Sequence, residues 1–181
     1  MYFIGLDLGT SALKLLLMEE GGQILNIVTK EYPLEFPQPG WSQQNPDDWL
    51  RAVLSGVPEL LRGFDAAQVA GIAAGGQMHG LVVLDEHDKV IRPAILWNDG
   101  RTQKQVEYLN GTIGKETLSE RTANIAFAGF TAPSCCGCGK TSRSCFRVSA
   151  KSCCPRITSI TASPAYTAPT IPTLPVCCCW T

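Results

Sequence analysis

Three short stretches gather the side chains that handle charge and hydroxyl groups. The first, Asp7-Leu8-Gly9-Thr10-Ser11 with Lys14 beyond it, places a carboxylate at the end of an apolar run, ahead of a glycine turn bearing two hydroxyls. Such a turn suits a phosphate: its N–H groups and the Thr10 and Ser11 hydroxyls can donate to phosphate oxygens, while Asp7 can hold Mg²⁺ directly or through water. An ordinary hairpin with a polar turn has the same letters. The second, Gly75-Gly76-Gln77-Met78-His79-Gly80, has glycines that let backbone approach a ligand, with Gln77 and His79 as hydrogen-bonding groups. A lone turn histidine is just as well structural or solvated. In the third, Trp97-Asn98-Asp99-Gly100-Arg101, an aromatic face lies beside amide, carboxylate and guanidinium groups, a lining that grips polyhydroxylated ligands. Its alternative is a helix start, with Asn98 or Asp99 as cap and Trp97 in the core.

The elements around these stretches follow from periodicity. Tyr2, Ile4, Leu6 and Leu8 alternate with Gly5 and Asp7, a strand pattern, and a turn at Gly9 leads into a second apolar run, Ala12 to Met18. Gly21-Gly22 supplies the next hairpin before Gln23 to Glu31, so the first thirty or so residues predict an antiparallel three-stranded meander. Asn45-Pro46-Asp47-Asp48 reads as an N-cap, a first-turn proline and first-turn acids. Trp49, Leu50, Val53, Leu54 and Val57 then follow at helical spacing, and Pro58 should kink or end the helix, since an interior proline costs about 3 kcal/mol. Val69 to Ala74, Leu81 to Leu84 and Val90 to Leu96 read as strands, and Thr102 to Asn110 and Lys115 to Arg121 as helices.

The chain changes character at Pro133. All sixteen acidic residues precede it and all nine cysteines follow it. The basic residues beyond it are Lys140, Arg143, Arg147, Lys151 and Arg156, and prolines recur at 155, 164, 169, 172 and 175, so residues 134 to 181 are expected to be disordered. Two motifs there mislead. In GCGKTS the position five before Gly139 is Ser134, so the phosphate-loop pattern G-x-x-x-x-G-K-[ST] is not met. Cys135 and Cys138 with Cys153 and Cys154 have tolerable zinc spacing, but the adjacent cysteines and lack of histidine argue against a designed metal or redox module. The near-neutral charge gives no reason to expect nucleic acid or a membrane surface. No secretory signal or bilayer-length apolar stretch is visible, so a cytoplasmic location with reduced thiols is expected.

Taken together, the motifs resemble the FGGY carbohydrate kinases, and within them the xylulokinase-like branch. The matching residues are IGLDLGTSALK (4 to 14), PGWSQQNPDDW (39 to 49), GGQMHGLVVLD (75 to 85), RPAILWNDGRT (92 to 102) and GFTAP (129 to 133). The first motif is shared with the wider actin and chaperone superfamily, whereas GQMHG with ILWNDGR is specific to the branch. The resemblance covers residues 1 to 133, a partial N-terminal kinase domain, and implies a ribonuclease H-like α/β fold. It implies ATP and Mg²⁺ as cofactors and D-xylulose or a related ketose as substrate. By the same resemblance Asp7, Gly9, Thr10, Ser11 and Lys14 serve MgATP phosphates, with Asp7 holding Mg²⁺ indirectly. Gln77, Met78 and His79 form one side of the sugar site, and Trp97, Asn98, Asp99 and Arg101 the other.

In the family, GFTAP is followed by something like KLLWVRENEPELF, which a shift of frame can connect to this sequence. Lys-Leu-Leu-Trp as AAG CTG CTG TGG, entered one base late, becomes AGC TGC TGT GG, or Ser-Cys-Cys-Gly, which is Ser134 to Gly137. Cys153 to Ser159 is likewise compatible with Met-Leu-Pro-Lys-Asp-Tyr-Ile, and Cys177-Cys178-Cys179 with a leucine triplet. Residues 134 to 181 therefore read as an out-of-frame translation of a kinase gene. The family's catalytic aspartate and most of its adenosine pocket belong to later sequence, so the expectation is a chain that is itself inactive and carries no catalytic base. A non-catalytic sugar- or nucleotide-binding protein on a partial kinase fold is the alternative.

Overall fold

A computed structural model describes residues 1–85, 87–141 and 151–153; for 138–141 and 151–153 it describes the backbone alone. The alternating apolar residues at the start make the meander: β1 (Tyr2–Leu8), β2 (Ala12–Glu19) and β3 (Ile24–Glu31) pair antiparallel in sequence order. A fourth strand, β5 (Val69–Gly76), lies parallel to β1 and completes a sheet in the order β3-β2-β1-β5. Parallel neighbours need a long crossover. Here it contains the two-residue strand β4 (Gln43–Gln44) and helix α1 (Pro46–Leu60).

Helix α1 starts as its letters dictate. Asn45 accepts from the Asp47 N–H at 3.0 Å, Pro46 occupies the first turn, and Asp47 and Asp48 favour the positive end of the helix. The buried positions Trp49, Ala52, Gly56 and Leu60 form one stripe against β2 and β3. Gly56 is required by closeness: a Cβ there would lie 2.2 Å from Leu15 Cδ1. The core between sheet and helix contains Ile4, Leu8, Leu13, Leu15, Leu17, Val28 and Trp49. Pro58 does not stop the helix at once. The chain stays helical to Leu60, because the lost N–H bond falls in the last turn, where Leu61 N–H already closes onto the Val57 carbonyl.

Beyond the main sheet most elements other than α3 are shorter than the sequence predicts. β6 (Val82–Leu84) and β7 (Ala94–Ile95) are fully buried, and β7 pairs with β4. Between them single bridges, Leu84 with Val90 and Leu81 with Ile95, replace the longer strand expected from Val90. Helix α2 (Gln103–Glu107) passes into a π-type segment, Tyr108–Gly114, before α3 (Lys115–Thr122). Asn110, expected to end the first of these helices, instead exchanges two 2.9 Å hydrogen bonds with the backbone of Ala126.

The largest departure from expectation is at Pro133. Helix α4 (Thr131–Thr141) runs through the join, and β8 (Lys151–Cys153) pairs antiparallel with β6. Residues 134–141 are thus helical and 151–153 form a strand, whereas 142–150 and 154–181 lie outside the described residues. The reason is local. No proline falls between Ser134 and Thr141, and small serine, cysteine and glycine side chains do not obstruct a helix already begun at Thr131. Gly137 lies against Thr102 and Gln105, and Cys135 packs on the cluster of Leu81, Val83 and Ile95. Of the four cysteines with tolerable zinc spacing, the side chains of Cys138, Cys153 and Cys154 lie outside the described residues.

Candidate functional site

The site is built at the carboxyl ends of β1 and β5. Asp7 is exposed near the end of β1, paired in register with Lys14 on β2 and Gly75 on β5. Gly9 N–H closes the following turn onto the Ala12 carbonyl at 3.0 Å, presenting Thr10 and Ser11 at its tip. Tyr32 buttresses this turn from below: its hydroxyl donates to the Gly9 carbonyl at 2.5 Å and its N–H to the Ser11 carbonyl at 3.3 Å. Burial first, and the Asp7 carboxylate second, push the Tyr32 hydroxyl far above the usual tyrosine range, so it remains a neutral donor.

β5 runs two residues beyond the Ala74 expected from the sequence, through Gly75 and Gly76, and Gln77 N–H then bonds the Leu8 carbonyl at 2.8 Å. Met78 is exposed, and His79 takes a left-handed backbone with φ 66°. The His79 ring stacks on Phe130, centroids 4.0 Å apart and 3° from parallel, while Thr131 Oγ1 donates to the His79 carbonyl at 2.9 Å. GFTAP thus holds the histidine turn. Gly129 makes this possible: its φ is +78°, and a Cβ there would meet the Trp97 carbonyl oxygen at 2.0 Å.

Trp97 connects the two sides. Its indole N–H donates to Thr10 Oγ1 at 3.1 Å, leaving the ring about half exposed beside the Thr10-Ser11 turn. Asn98 is exposed and borders an open cleft of about 490 Å³ with Phe36, Trp41 and Ser42. Asp99 points inward. It is 1 % exposed, accepts from Ser42 N–H at 2.6 Å and Arg101 N–H at 2.8 Å, and pairs with the Arg101 guanidinium at 2.8 Å. Arg101 also donates to Gln43 Oε1 at 3.2 Å and lies 3.9 Å over the Trp41 ring. This pair holds the Trp41–Gln43 segment in place behind the wall formed by Trp97 and Asn98.

The structure therefore brings together Asp7, Gly9, Thr10, Ser11, Lys14 and Gln77 around two adjacent strand ends, with Trp97 joined to the same turn. Met78 and His79 follow directly from Gln77. Asp99 and Arg101 belong to the layer behind. Four residues at the site have no chemical signature in the sequence: Tyr32, Gln44, Phe130 and Thr131. Thr131 and Phe130 lie within GFTAP, and Gln44 within PGWSQQNPDDW, so their stretches stood out although their roles did not.

Among the described residues no cluster of three potential metal ligands occurs. One exposed carboxylate beside a hydroxyl-bearing turn fits a Mg²⁺ ion held mainly by water and phosphate oxygens, with Asp7 as a single or water-mediated contact. No helix among the described residues is long and apolar enough to cross a membrane.

A sheet of three antiparallel strands with a parallel fourth, and a turn after β1 facing a glycine-rich strand end, is the architecture of the ribonuclease H-like domain of the actin and sugar-kinase superfamily. The family model for the N-terminal domain of FGGY carbohydrate kinases matches residues 2–135, and the chain belongs to that family. It is 46 % identical over 135 residues to the xylulose kinase of Lactococcus lactis, covering 73 % of this chain and 26 % of that protein. It is 42 % identical over 134 residues to the xylulose kinase of Bacillus subtilis, covering 73 % and 27 %. Among solved structures, a xyloylose kinase from Brucella ovis superposes with TM-score 0.82 at 34 % identity, covering 87 % of this chain and 33 % of that one. The xylulose kinase of Rhodospirillum rubrum has the same fold, with TM-score 0.84 at 23 % identity over 89 % and 33 %. The chain thus spans about a quarter of the length of the curated relatives, 26 % in the first, and corresponds to the N-terminal part of a sugar kinase.

Proposed function

We propose that this chain carries the phosphate turn and the sugar-facing wall of an ATP-dependent ketose kinase of the cytoplasm. The reaction of the whole enzyme is transfer of the γ-phosphoryl of MgATP to the terminal hydroxyl of D-xylulose. The single observation that carries the reading is the Trp97–Thr10 hydrogen bond at 3.1 Å, which puts an aromatic wall and a phosphate-binding turn side by side. Asp7, Gly9, Thr10, Ser11 and Lys14 receive phosphate and its Mg²⁺. Gln77, Met78, His79, Trp97 and Asn98 face the sugar, with Asp99 and Arg101 fixing the wall. Mg²⁺ supplies charge neutralisation on the phosphates; the protein's own contribution is positioning, with a base to accept the hydroxyl proton.

That base is missing from the 181 residues: no aspartate follows Asp99 and no glutamate follows Glu120. The polypeptide by itself is therefore inactive, and residues 134 to 181 are the product of a shifted reading frame. Calorimetry of the purified chain should show saturable D-xylulose binding without xylulose-dependent ADP formation. ADP release above the no-sugar control would overturn the inactivity, and binding of a polyol in preference to D-xylulose would reassign the sugar. A chain that binds but never turns over also fits the second reading, a non-catalytic binding protein; it is favoured by the Asp99–Arg101 pair behind the site, whose bonds to Ser42 and Gln43 all come from residues of this chain.

A further inference from the structure

The Gln44 side chain bonds both the turn after β1, at Thr10, and the residue that follows β5, Gln77. It lies in β4, is 1 % exposed, and uses its carboxamide on both ends. Its Nε2 donates to the Thr10 carbonyl at 2.6 Å and to the Pro33 carbonyl at 3.2 Å. Its Oε1 accepts from the Trp49 indole at 3.1 Å and from Gln77 Nε2 at 3.3 Å. Two donor hydrogens and two acceptor lone pairs are all that a primary amide has, so the group is saturated. One end grips the phosphate turn, and the other grips the strand end that becomes the Met78-His79 turn; Trp49 ties both to helix α1.

We propose that Gln44 is a positioning residue of the kinase site, setting the spacing between the Thr10-Ser11 turn and the Gln77-Met78-His79 turn. The inference deepens the functional reading above and rests on it for the identity of the ligands. A glutamine is suited to this because it donates and accepts from one rigid plane. No other uncharged side chain of that length does both, and a glutamate loses both donors. Gln44 thus holds the Gln77 carboxamide by its Nε2, while Gln77 Oε1 is buried without a partner.

The test uses the full chain and the indole N–H resonances of its four tryptophans. Trp49 reports the acceptor end of Gln44 directly. Trp97 reports the phosphate turn, because its N–H bonds Thr10 Oγ1; Thr10→Val gives the Trp97 position when that bond is broken. Gln44→Glu keeps the acceptor for Trp49 and removes both donors, so the Trp97 signal should move most of the way to the Thr10→Val position while the Trp49 signal remains hydrogen-bonded. D-xylulose affinity should fall about tenfold in the same variant. A folded Gln44→Glu chain with the Trp97 signal unmoved would reduce Gln44 to a core buttress and overturn the proposal.

The wild-type chain gives a second arm that needs no variant to fold. The Gln44 carboxamide hydrogens should exchange with D₂O at least tenfold more slowly than those of exposed Gln38, and equal rates would overturn the proposal. If both arms hold but D-xylulose does not bind, the ligand assignment fails and the positioning role stands.

Discussion

Two buried polar regions of this molecule differ in one respect: the first has nearly every polar group matched, and the second has its polar groups stranded. Around Gln44 and Asp99 the carboxamide of Gln44 uses all its bonds, and the Asp99 carboxylate is shared by Ser42 and Arg101. Two atoms nearby, Ser42 Oγ and Gln77 Oε1, are buried without a partner, and Ser42 also lines the cleft beside Asn98. At the seam between α2 and α4, by contrast, Thr102 Oγ1, Gln105 Oε1 and Ser134 Oγ are all buried without a partner. Each stranded buried group of this kind costs about 1–3 kcal/mol. The seam is where α4 crosses Pro133. Burial alone therefore does not make an interface; the polar groups must also have been fitted to one another, and that fitting ends at the join.

The largest effect should come from correcting the frame. Restoring one base at the codon for Ser134 should replace Ser-Cys-Cys-Gly by a segment like Lys-Leu-Leu-Trp and yield a longer chain with xylulose-dependent ADP release where the 181-residue chain has none. Sequencing the gene across the codons for Pro133 and Ser134 checks the premise; an intact frame relative to close relatives removes it.

Next comes the matched region. Asp99→Ala leaves the Arg101 guanidinium buried beside Trp41 without its carboxylate, and breaking a buried pair this way costs about 3–5 kcal/mol. Urea unfolding should register the loss in full. A loss under about 1 kcal/mol, the value of an exposed pair, would mean that the pair is not held as described.

How much of this was legible follows from which signals are local. The meander was, because alternation along Tyr2–Leu8 fixes which face is buried, and the α1 start was, because Asn45, Pro46 and Asp47 carry their roles in their chemistry. The turn after β1 was legible too, since Gly9, Thr10 and Ser11 are adjacent; its role with phosphate belongs to the proposal. Asp99 was read as lining a ligand site or capping a helix; it accepts from the Arg101 N–H two positions on, as a cap does, and also from Ser42, 57 positions away, which no local pattern reveals. Gln44 was missed for the same reason: a glutamine before an N-cap looks solvated until Thr10, 34 residues earlier, is seen against it. Helix α4 was missed because serine, cysteine and glycine carry no apolar period; its placement is tertiary, set by Thr131 on the His79 turn and by Cys135 on Leu81 and Val83.

A smaller effect tests the phosphate turn through pH. Tyr32 has a raised folded-state pKa, so the neutral hydroxyl is favoured by folding. The stability it contributes is complete below the unfolded value of about 10 and is lost as pH rises beyond it. Thermal unfolding should therefore weaken progressively above about pH 10. Tyr32→Phe should flatten that alkaline limb while losing about 1 kcal/mol at neutral pH for the hydrogen bond to Gly9. An unchanged alkaline limb in the variant would place the sensitivity elsewhere.

The smallest effect is the most discriminating, because it compares two buried hydroxyls three residues apart on one helix. Thr131 and Ser134 lie on opposite sides of Pro133, 4 % and 0 % exposed. Thr131 donates to the His79 carbonyl, so Thr131→Val should cost about 1 kcal/mol. Ser134 Oγ bonds nothing, so Ser134→Ala removes an unpaired polar atom at little loss of volume and should raise stability by up to about 1 kcal/mol. For a chain of this size that is a rise in Tm of roughly 2–4 °C, with a fall of similar size for the valine variant. Opposite signs would show that polar matching changes between positions 131 and 134. A destabilised Ser134→Ala chain would show instead that the seam is satisfied in solution, and the contrast between the two regions would then lose its physical basis.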